Sequence, residues 1–221
     1  MWKVRQALFD VTVTMKLRDY QADAVAAVYG HLRAKATNPV VVIPTGGGKT
    51  PVIATICRDA VLRWKGRVMV LSHVKELLEQ SARHLVEVEP KLAPLVGIYS
   101  AGLGSKDSGR PITVAGIQSI YKHGAALGKI DLILVDEAHC CPAEGEGMHR
   151  TFLTAARTVN PKIRLVGLTA TPFRMKSGPI CSPGSIFEEI CYEVGIRTLI
   201  NQGYLCKLTA FSGSLVPDTD S

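Results

Sequence analysis

Residues 40–54, VVVIPTGGGKTPVIA, combine a glycine-rich turn with a lysine and a threonine that could bind phosphate. Consecutive glycines let backbone N–H groups turn inward around an anion without hindrance from Cβ atoms. Lys49 adds a positive charge for nucleotide phosphates, and Thr50 adds a hydroxyl for Mg²⁺. The phosphate-loop pattern G-x-x-x-x-G-K-[ST] also requires glycine at position 43, where this chain has isoleucine. On its own, the stretch indicates either a nucleotide site with one unusual residue or a structural turn.

Two acidic residues, Asp136 and Glu137, follow another apolar run and begin the sequence Asp-Glu-Ala-His. One carboxylate suits a hard cation such as Mg²⁺, and a second can act as base for a hydrolytic water. In isolation the pair is more typical of an ordinary strand end or helix cap. The turn and the acidic pair together, after separate strands and in this order, are far more specific than either alone.

The elements that must position these residues alternate along the chain. Apolar residues at helical spacing predict helices at 18–35, 49–64, 75–88 and 148–158. Apolar runs predict strands at 7–15, 40–43, 67–72, 95–99, 112–115, 130–135 and 163–168. Strands that are apolar on both faces and separated by helices favour a parallel sheet covered on both sides. Because such sheets bind ligands beyond the carboxyl ends of their strands, we expect the two motifs at the same edge.

The composition is that of a globular protein, with 47% of 221 residues hydrophobic and 20% charged. Its apolar runs are far shorter than the roughly 18 residues of a bilayer span, and its N-terminus lacks the apolar core of a signal peptide. We therefore expect a cytoplasmic protein with no membrane contact. Lysine and arginine outnumber the acids 26 to 19, for a net charge of +7. This charge suits nucleic acid but equally fits a merely basic protein.

The six cysteines do not form a metal-binding pattern. No pair has C-x2-C spacing, and adjacent Cys140 and Cys141 are poorly placed as two ligands of one zinc ion. We interpret the cysteines as reduced structural thiols.

Two segments late in the chain have no apolar periodicity. Residues 174–185, rich in Gly, Pro and Ser, are expected to form a loop. Arg174 and Lys176 could contact nucleic acid from it, although a solvated loop is the more ordinary interpretation. Residues 204–221 are interpreted as a trailing segment.

Three stretches resemble motifs I, II and III of DEAH-type superfamily 2 helicases: PTGGGKT at 44–50, DEAH at 136–139 and TATP at 169–172. In that family motif I commonly begins Pro-Thr-Gly without the early glycine, so Ile43 does not count against a nucleotide site. The resemblance implies ATP and Mg²⁺ as ligands. It also implies that Glu137 positions or deprotonates the attacking water, and that Thr50 and Asp136 bind Mg²⁺. The implied phosphate-binding residues are Thr45, Gly46, Gly47, Gly48 and Lys49. His139, Thr169 and Thr171 would couple the site to nucleic acid and to a partner domain, with His139 hydrogen-bonding toward residues 169–171 or that domain.

Other stretches match helicase motifs in the same order. RDYQ at 18–21 resembles the Q motif, in which Gln21 would read the adenine edge and Arg18 would lie over the ring. SHVKEL at 72–77 resembles motif Ia, and AGIQS at 115–119 resembles motif Ib or Ic. These two imply nucleic-acid contacts, although solvated strand ends explain them nearly as well. The residues concerned are Ser72, His73, Gln118 and Ser119. Across residues 17–205 the sequence most resembles the RadD-like DNA-repair ATPases, with type III restriction-enzyme helicase subunits as near neighbours.

The fold implied is α/β, a three-layer RecA-like P-loop domain with a mostly parallel central sheet. We expect an N-terminal strand or arm at 1–16, a first RecA-like ATP-binding domain at 17–205, and a segment at 206–221 leading toward a second RecA-like domain. In superfamily 2 motors the second domain contributes arginines, and such an arginine is worth about 10³–10⁵ in rate. The chain has no room for it after residue 172, so we expect nucleotide binding with little turnover.

The parent activity implied is nucleic-acid-stimulated ATP hydrolysis that drives translocation, unwinding or remodelling, with DNA favoured over RNA. One alternative is a nucleotide-responsive nucleic-acid-binding module that does not hydrolyse ATP. A small-molecule kinase would also carry a phosphate loop, but the ordered set of motifs from Arg18 to Pro172 argues against it.

Overall fold

The computed structural model describes residues 16–73, 78–142, 147–174, 178–182 and 184–207. The strand predicted at 7–15 lies outside these residues. In chain order the elements are α1 (Asp19–Ala34), β1 (Pro39–Val42), α2 (Lys49–Arg58), β2 (Val68–Ser72), α3 (Leu78–Val88), β3 (Val96–Ser100), β4 (Ser105–Lys106), β5 (Ile112–Gly116), α4 (Ile117–Ile120), β6 (Leu132–Asp136), α5 (Met148–Val159), β7 (Arg164–Thr169), β8 (Phe173–Arg174), β9 (Gly178–Pro179), β10 (Glu189–Glu193) and α6 (Ile196–Asn201).

The centre of the fold is a sheet with strand order β10-β1-β7-β6-β2-β5-β3-β4 in the described part of the chain. Neighbouring strands are parallel throughout, except that the short β4 runs antiparallel to β3. The mostly parallel α/β sheet predicted from the apolar runs is confirmed.

Each face of the sheet carries its own apolar core, because successive side chains of a strand point to opposite faces. On β2, Val68 and Val70 join the core that packs against α1, α2 and α3, whereas Met69 and Leu71 join the core that packs against α4 and α5. The three layers follow from this alternation. None of the described helices is long and apolar enough to cross a membrane.

The helix predicted at 49–64 changes type partway. Its α-helical part ends at Arg58, and Asp59–Arg63 continue as a π-helical turn closed by a bond from Trp64 N to Asp59 O of 3.1 Å. Asp59 is only 3% exposed and accepts from Tyr29 and Arg58 at 3.0 Å each. We attribute the wider turn to these contacts, which hold the Asp59 carboxylate inward.

The described part of the chain after residue 172 contains more β-structure than predicted. Phe173–Arg174 pairs with Gly178–Pro179 as a short antiparallel ladder, and β10 adds an edge strand parallel to β1. Arg174 is 8% exposed and donates to Cys141 O at 2.8 Å and to Pro179 O at 3.0 Å. Both expectations for Arg174, a nucleic-acid contact and a solvated side chain, are therefore wrong, because its guanidinium is buried and bonded within the fold. Lys176 lies outside the described residues.

Candidate active site

The three motif loops meet because their strands are neighbours in the sheet. β1, β7 and β6 lie side by side and parallel, so their carboxyl ends share one edge. The glycine-rich loop follows β1, Asp136 ends β6, and Thr169 ends β7. The edge predicted from the sequence is thus the one at which these residues are brought together.

The glycine-rich loop is tightly folded and opens directly into α2. Gly46 and Gly48 both have φ of +78°, and Gly47 N donates to Pro44 O at 2.9 Å. A Cβ at Gly47 would lie 2.7 Å from Ile43 Cγ2 and 2.9 Å from Pro44 O, closer than packing allows. A Cβ-free loop that ends at the N-terminus of a ten-residue helix fits an anion, since unpaired N–H groups point out of that end.

Two side chains of helix α1 donate hydrogen bonds to carbonyl oxygens of this loop. Tyr20 donates its hydroxyl hydrogen to Gly47 O at 2.5 Å, and Gln21 Nε2 lies 3.2 Å from the carbonyl oxygens of both Gly47 and Gly48. Gln21 Oε1 accepts from Arg18 N at 3.0 Å. Both amide hydrogens of Gln21 are therefore used by the loop, and among the described residues one acceptor site on Oε1 has no partner.

Glu137 lies between the glycine-rich loop and His139. Its Oε1 is 3.1 Å from Lys49 Nζ, and its Oε2 is 3.3 Å from His139 Nδ1. Its backbone has φ 52° and ψ 53°, a left-handed conformation that costs a non-glycine residue about 1–2 kcal/mol. The fold thus holds this carboxylate in place at the expense of local strain.

A hydrogen-bond network continues from His139 to the end of β7. His139 Nδ1 is 2.9 Å from Thr169 Oγ1, which also accepts from Thr171 N at 3.1 Å and lies 3.1 Å from Thr171 O. Because Glu137 can only accept, Nδ1 carries the hydrogen and the Thr169 hydroxyl donates to Thr171 O. The contact expected between His139 and residues 169–171 is present.

Asp136, at the end of β6, and Thr50, in the first turn of α2, are the residues predicted from the sequence to offer oxygen ligands to Mg²⁺. Burial, together with the Glu137 carboxylate, raises the pKa of Asp136 above its ordinary value, while the Lys49 ammonium acts in the opposite direction. A bound cation would offset that burial cost, and hard oxygen ligands are those that Mg²⁺ prefers. Asp136 Oδ1 also accepts from Glu137 N at 3.0 Å, which orients the carboxylate.

The residues matched to the nucleic-acid motifs lie further along the same edge, after β2 and β5. Gln118 Nε2 donates to His73 O at 2.8 Å, and Ser119 Oγ accepts from Ala101 N at 3.0 Å. Ser72 is only 7% exposed. His73 and Gln118 therefore form one contact between the two loops, whereas Ser72 is a core residue in this structure.

Tyr20 and Tyr204 are site residues that sequence reasoning did not single out. The Tyr204 ring lies 5.3 Å from the Tyr20 ring, and Arg18 Cζ is 4.6 Å from the Tyr204 centroid. Two weak signals were present in the sequence: Tyr20 lies inside RDYQ, and Tyr204 lies near the end of the 17–205 range that resembles the RadD-like ATPases. Thr45 is exposed and lines a cavity of about 360 Å³ with Pro44, Thr171 and Leu205.

Comparison with known proteins places the fold and the family of the chain. The UvsW helicase from bacteriophage T4 has the same fold, with a TM-score of 0.63 at 16% identity over 80% of this chain and 60% of that chain. The DNA 3'-5' translocase XPB2 of Sulfurisphaera tokodaii is 33% identical over 165 residues, which are 72% of this chain and 32% of that protein. The protein IRC3 of Saccharomyces cerevisiae is 27% identical over 203 residues, 86% of this chain and 28% of that protein.

The chain therefore spans about a third of the length of these curated relatives. The sequence profile of the family described as "Type III restriction enzyme, res subunit" matches residues 14–174. This match covers most of the chain, which therefore belongs to that family and is a first motor domain of the superfamily 2 helicase type.

Proposed function

We propose that the chain is the ATP-binding motor domain of a DEAH-type helicase or translocase whose parent activity is nucleic-acid-stimulated ATP hydrolysis. The observation that carries this proposal is the continuous path of contacts from the phosphate loop to the end of β7. It runs from Lys49 to Glu137 at 3.1 Å, then to His139 at 3.3 Å and to Thr169 at 2.9 Å. Such a path connects a phosphate site to the segment beyond β7.

ATP phosphates would be held by the loop from Thr45 to Lys49, and Mg²⁺ by Thr50 and Asp136. When bound, Mg²⁺ neutralises charge that develops on the transferring phosphoryl group. The loop amides and the Lys49 ammonium supply the remaining positive potential at a helix start.

Glu137 is proposed as the base that positions and deprotonates the attacking water. In this structure Lys49 holds Glu137 in an ion pair. A phosphate competes for the same ammonium, so nucleotide binding would release Glu137 for its role. His139 Nδ1 lies 3.3 Å from Glu137 Oε2, so the imidazole would keep the carboxylate nearby after Lys49 leaves. Because His139 also contacts Thr169, a movement of Glu137 would change the hydrogen bonding of Thr169 and Thr171.

The base of the nucleotide would be read by Gln21 and Arg18. The one free acceptor of Gln21 Oε1 matches the exocyclic amine of adenine and mismatches the carbonyl of guanine. This supports ATP over GTP.

The polymer partner is proposed to be DNA rather than RNA. The net charge of +7 supplies attraction for a polyanion, and the relative XPB2 carries the name DNA translocase. His73 and Gln118 would contact the backbone of the strand without reading sequence. Turnover at full rate would require a second RecA-like domain that contributes arginines to the same nucleotide.

Steady-state Mg·ATP hydrolysis tests the proposal, measured with and without single-stranded DNA, duplex DNA and RNA, alongside ADP binding. Glu137→Gln removes the base, and Glu87→Gln, on the exposed face of α3, is the matched loss of charge. We expect ADP binding and a low but measurable turnover that Glu137→Gln abolishes and Glu87→Gln does not. Measurable turnover that is the same in Glu137→Gln and wild type, or no ADP binding by wild type, would contradict the proposal. Nucleotide-dependent polymer binding with turnover undetectable under every condition would favour the non-hydrolysing module.

A further inference from the structure

We propose that Tyr204 completes the nucleobase site by backing the Arg18 guanidinium, and that base binding thereby orders residues 204–207 against the phosphate loop. This inference rests on the proposed nucleotide site and adds to it a residue that none of the helicase motifs contains.

The Arg18 guanidinium is held on one edge and one face. Its Nη1 donates to Tyr20 Oη at 3.1 Å, and its Cζ lies 4.6 Å above the Tyr204 ring. No carboxylate among the described residues forms an ion pair with Arg18, and its side chain is exposed. A planar guanidinium stacks on aromatic rings, and the face opposite Tyr204 is the one left for a base.

The contacts of Tyr20 place this stack next to the phosphate loop. The Tyr20 hydroxyl donates to Gly47 O at 2.5 Å, and its ring lies 5.3 Å from the Tyr204 ring at an interplanar angle of 58°. Tyr20 therefore contacts Tyr204, Arg18 and the phosphate loop. A base on Arg18 and phosphates in the loop would belong to a single ligand.

Leu205, which follows Tyr204, and Leu199 of α6 both lie close to the phosphate loop. Leu205 Cδ2 lies 3.2 Å from the position that a Cβ on Gly46 would occupy, and Leu199 Cδ1 lies 3.2 Å from the equivalent position on Gly47. The backbone amides of Tyr204 and Leu205 both donate to Leu199 O, at 2.8 Å and 3.2 Å. Tyr204 therefore packs against α1 while Leu205 lies next to the phosphate loop, and we expect occupancy of the proposed site and order of this segment to be coupled in both directions.

The test compares binding of ADP with binding of tripolyphosphate, which lacks a base, by the 221-residue chain. Tyr204→Leu keeps apolar bulk but removes the aromatic face, Tyr204→Phe keeps the ring, and Arg18→Ala removes the guanidinium. We expect Tyr204→Leu to weaken ADP binding about 3- to 30-fold, the range of a cation–π contact, and to leave tripolyphosphate binding unchanged. Tyr204→Phe should bind both like wild type, because the Tyr204 hydroxyl makes no hydrogen bond within the described residues.

Two further readouts separate stacking from mere packing. In Arg18→Ala, adding Tyr204→Leu should weaken ADP binding no further. In wild type, ADP should slow amide exchange at Tyr204 and Leu205, whereas tripolyphosphate should not.

Equal losses for ADP and tripolyphosphate, additive losses in the double variant, or ADP binding by Tyr204→Leu at the wild-type level would each overturn the inference. Lys49→Ala tests the underlying nucleotide site separately, since it must weaken both ligands. If wild type binds neither ligand, the proposed function fails and not this inference alone.

Discussion

Replacing Gly48 by alanine should damage the phosphate loop through two separable costs. The first is conformational, because Gly48 has φ +78° and ψ 60°, where an L-residue loses about 1–2 kcal/mol. The second is contact, because the new Cβ would lie 2.5 Å from Gln21 Nε2. Gln21 is 3% exposed and bonds to two loop carbonyls, so displacing it forfeits hydrogen bonds worth about 0.5–1.5 kcal/mol each. The total cost is about 2–5 kcal/mol.

Gly104→Ala is the matched control for the backbone cost alone. Gly104 has φ +65°, and nothing lies within 4 Å of its Cβ position. Urea unfolding of both variants should show that Gly48→Ala lowers the free energy of unfolding by about 1–3 kcal/mol more than Gly104→Ala does. Binding of ADP should be lost in Gly48→Ala and retained in Gly104→Ala.

A double variant isolates the contact term. Once Gln21→Ala has removed the clashing amide, Gly48→Ala should cost little more than the backbone strain, so the two changes should be less than additive by at least about 1 kcal/mol. Additivity within about 0.5 kcal/mol, or equal costs for Gly48→Ala and Gly104→Ala, would refute the proposed contact between α1 and the loop.

Three further outcomes are expected. Thr169→Val, at a position with no exposed surface, leaves His139 Nδ1 without its shorter partner and should cost about 1–3 kcal/mol in urea unfolding, whereas Thr169→Ser should not. Burial lowers the pKa of His149 from 6.5 to about 4, with a smaller contribution from His73. Between pH 6.5 and 4 the unfolded chain binds a proton at His149 while the folded chain does not. The contribution of neutral His149 to the free energy of unfolding is therefore fully present above pH 6.5, and up to about 3 kcal/mol is lost as the pH approaches 4. His149→Leu should remove that part of the pH dependence. Arg174→Gln should lower the free energy of unfolding by about 1–3 kcal/mol because two buried carbonyl oxygens lose their donor, with no change in the salt dependence of DNA binding.

The central strands could be predicted because their burial is encoded locally. β2 and β6 are apolar at nearly every position, since both of their faces are covered, and such runs are visible without knowing any neighbour. Their order in the sheet was not predicted, yet the motif loops still met, because the carboxyl ends of parallel strands always share one edge. For the same reason the positions of Lys49, Asp136 and Thr169 could be anticipated.

Features that depend on tertiary partners were not predictable in the same way. β10 has the sequence EICYE, in which charged residues flank an apolar centre, and it is a strand because it pairs with β1 at the sheet edge. Arg174 sits in a polar stretch, but a carbonyl of Cys141, 33 residues earlier, fixes it in the interior. Tyr204 acquires its neighbours only when the segment after α6 returns to α1.

The isoleucine at position 43 shows why counting glycines at fixed distances can miss a phosphate loop. Ile43 is fully buried and extends the β1–β7 ladder through a bond from its N to Thr169 O of 3.0 Å. Its Cγ2 lies 2.7 Å from the place that a Cβ on Gly47 would occupy. The same Cβ would lie 2.9 Å from Pro44 O, so the Ile43 side chain and the backbone of the loop together leave no room for a side chain at 47. Gly48, by contrast, is required by its positive φ. The pattern is therefore set by the space under the loop and by its backbone conformation.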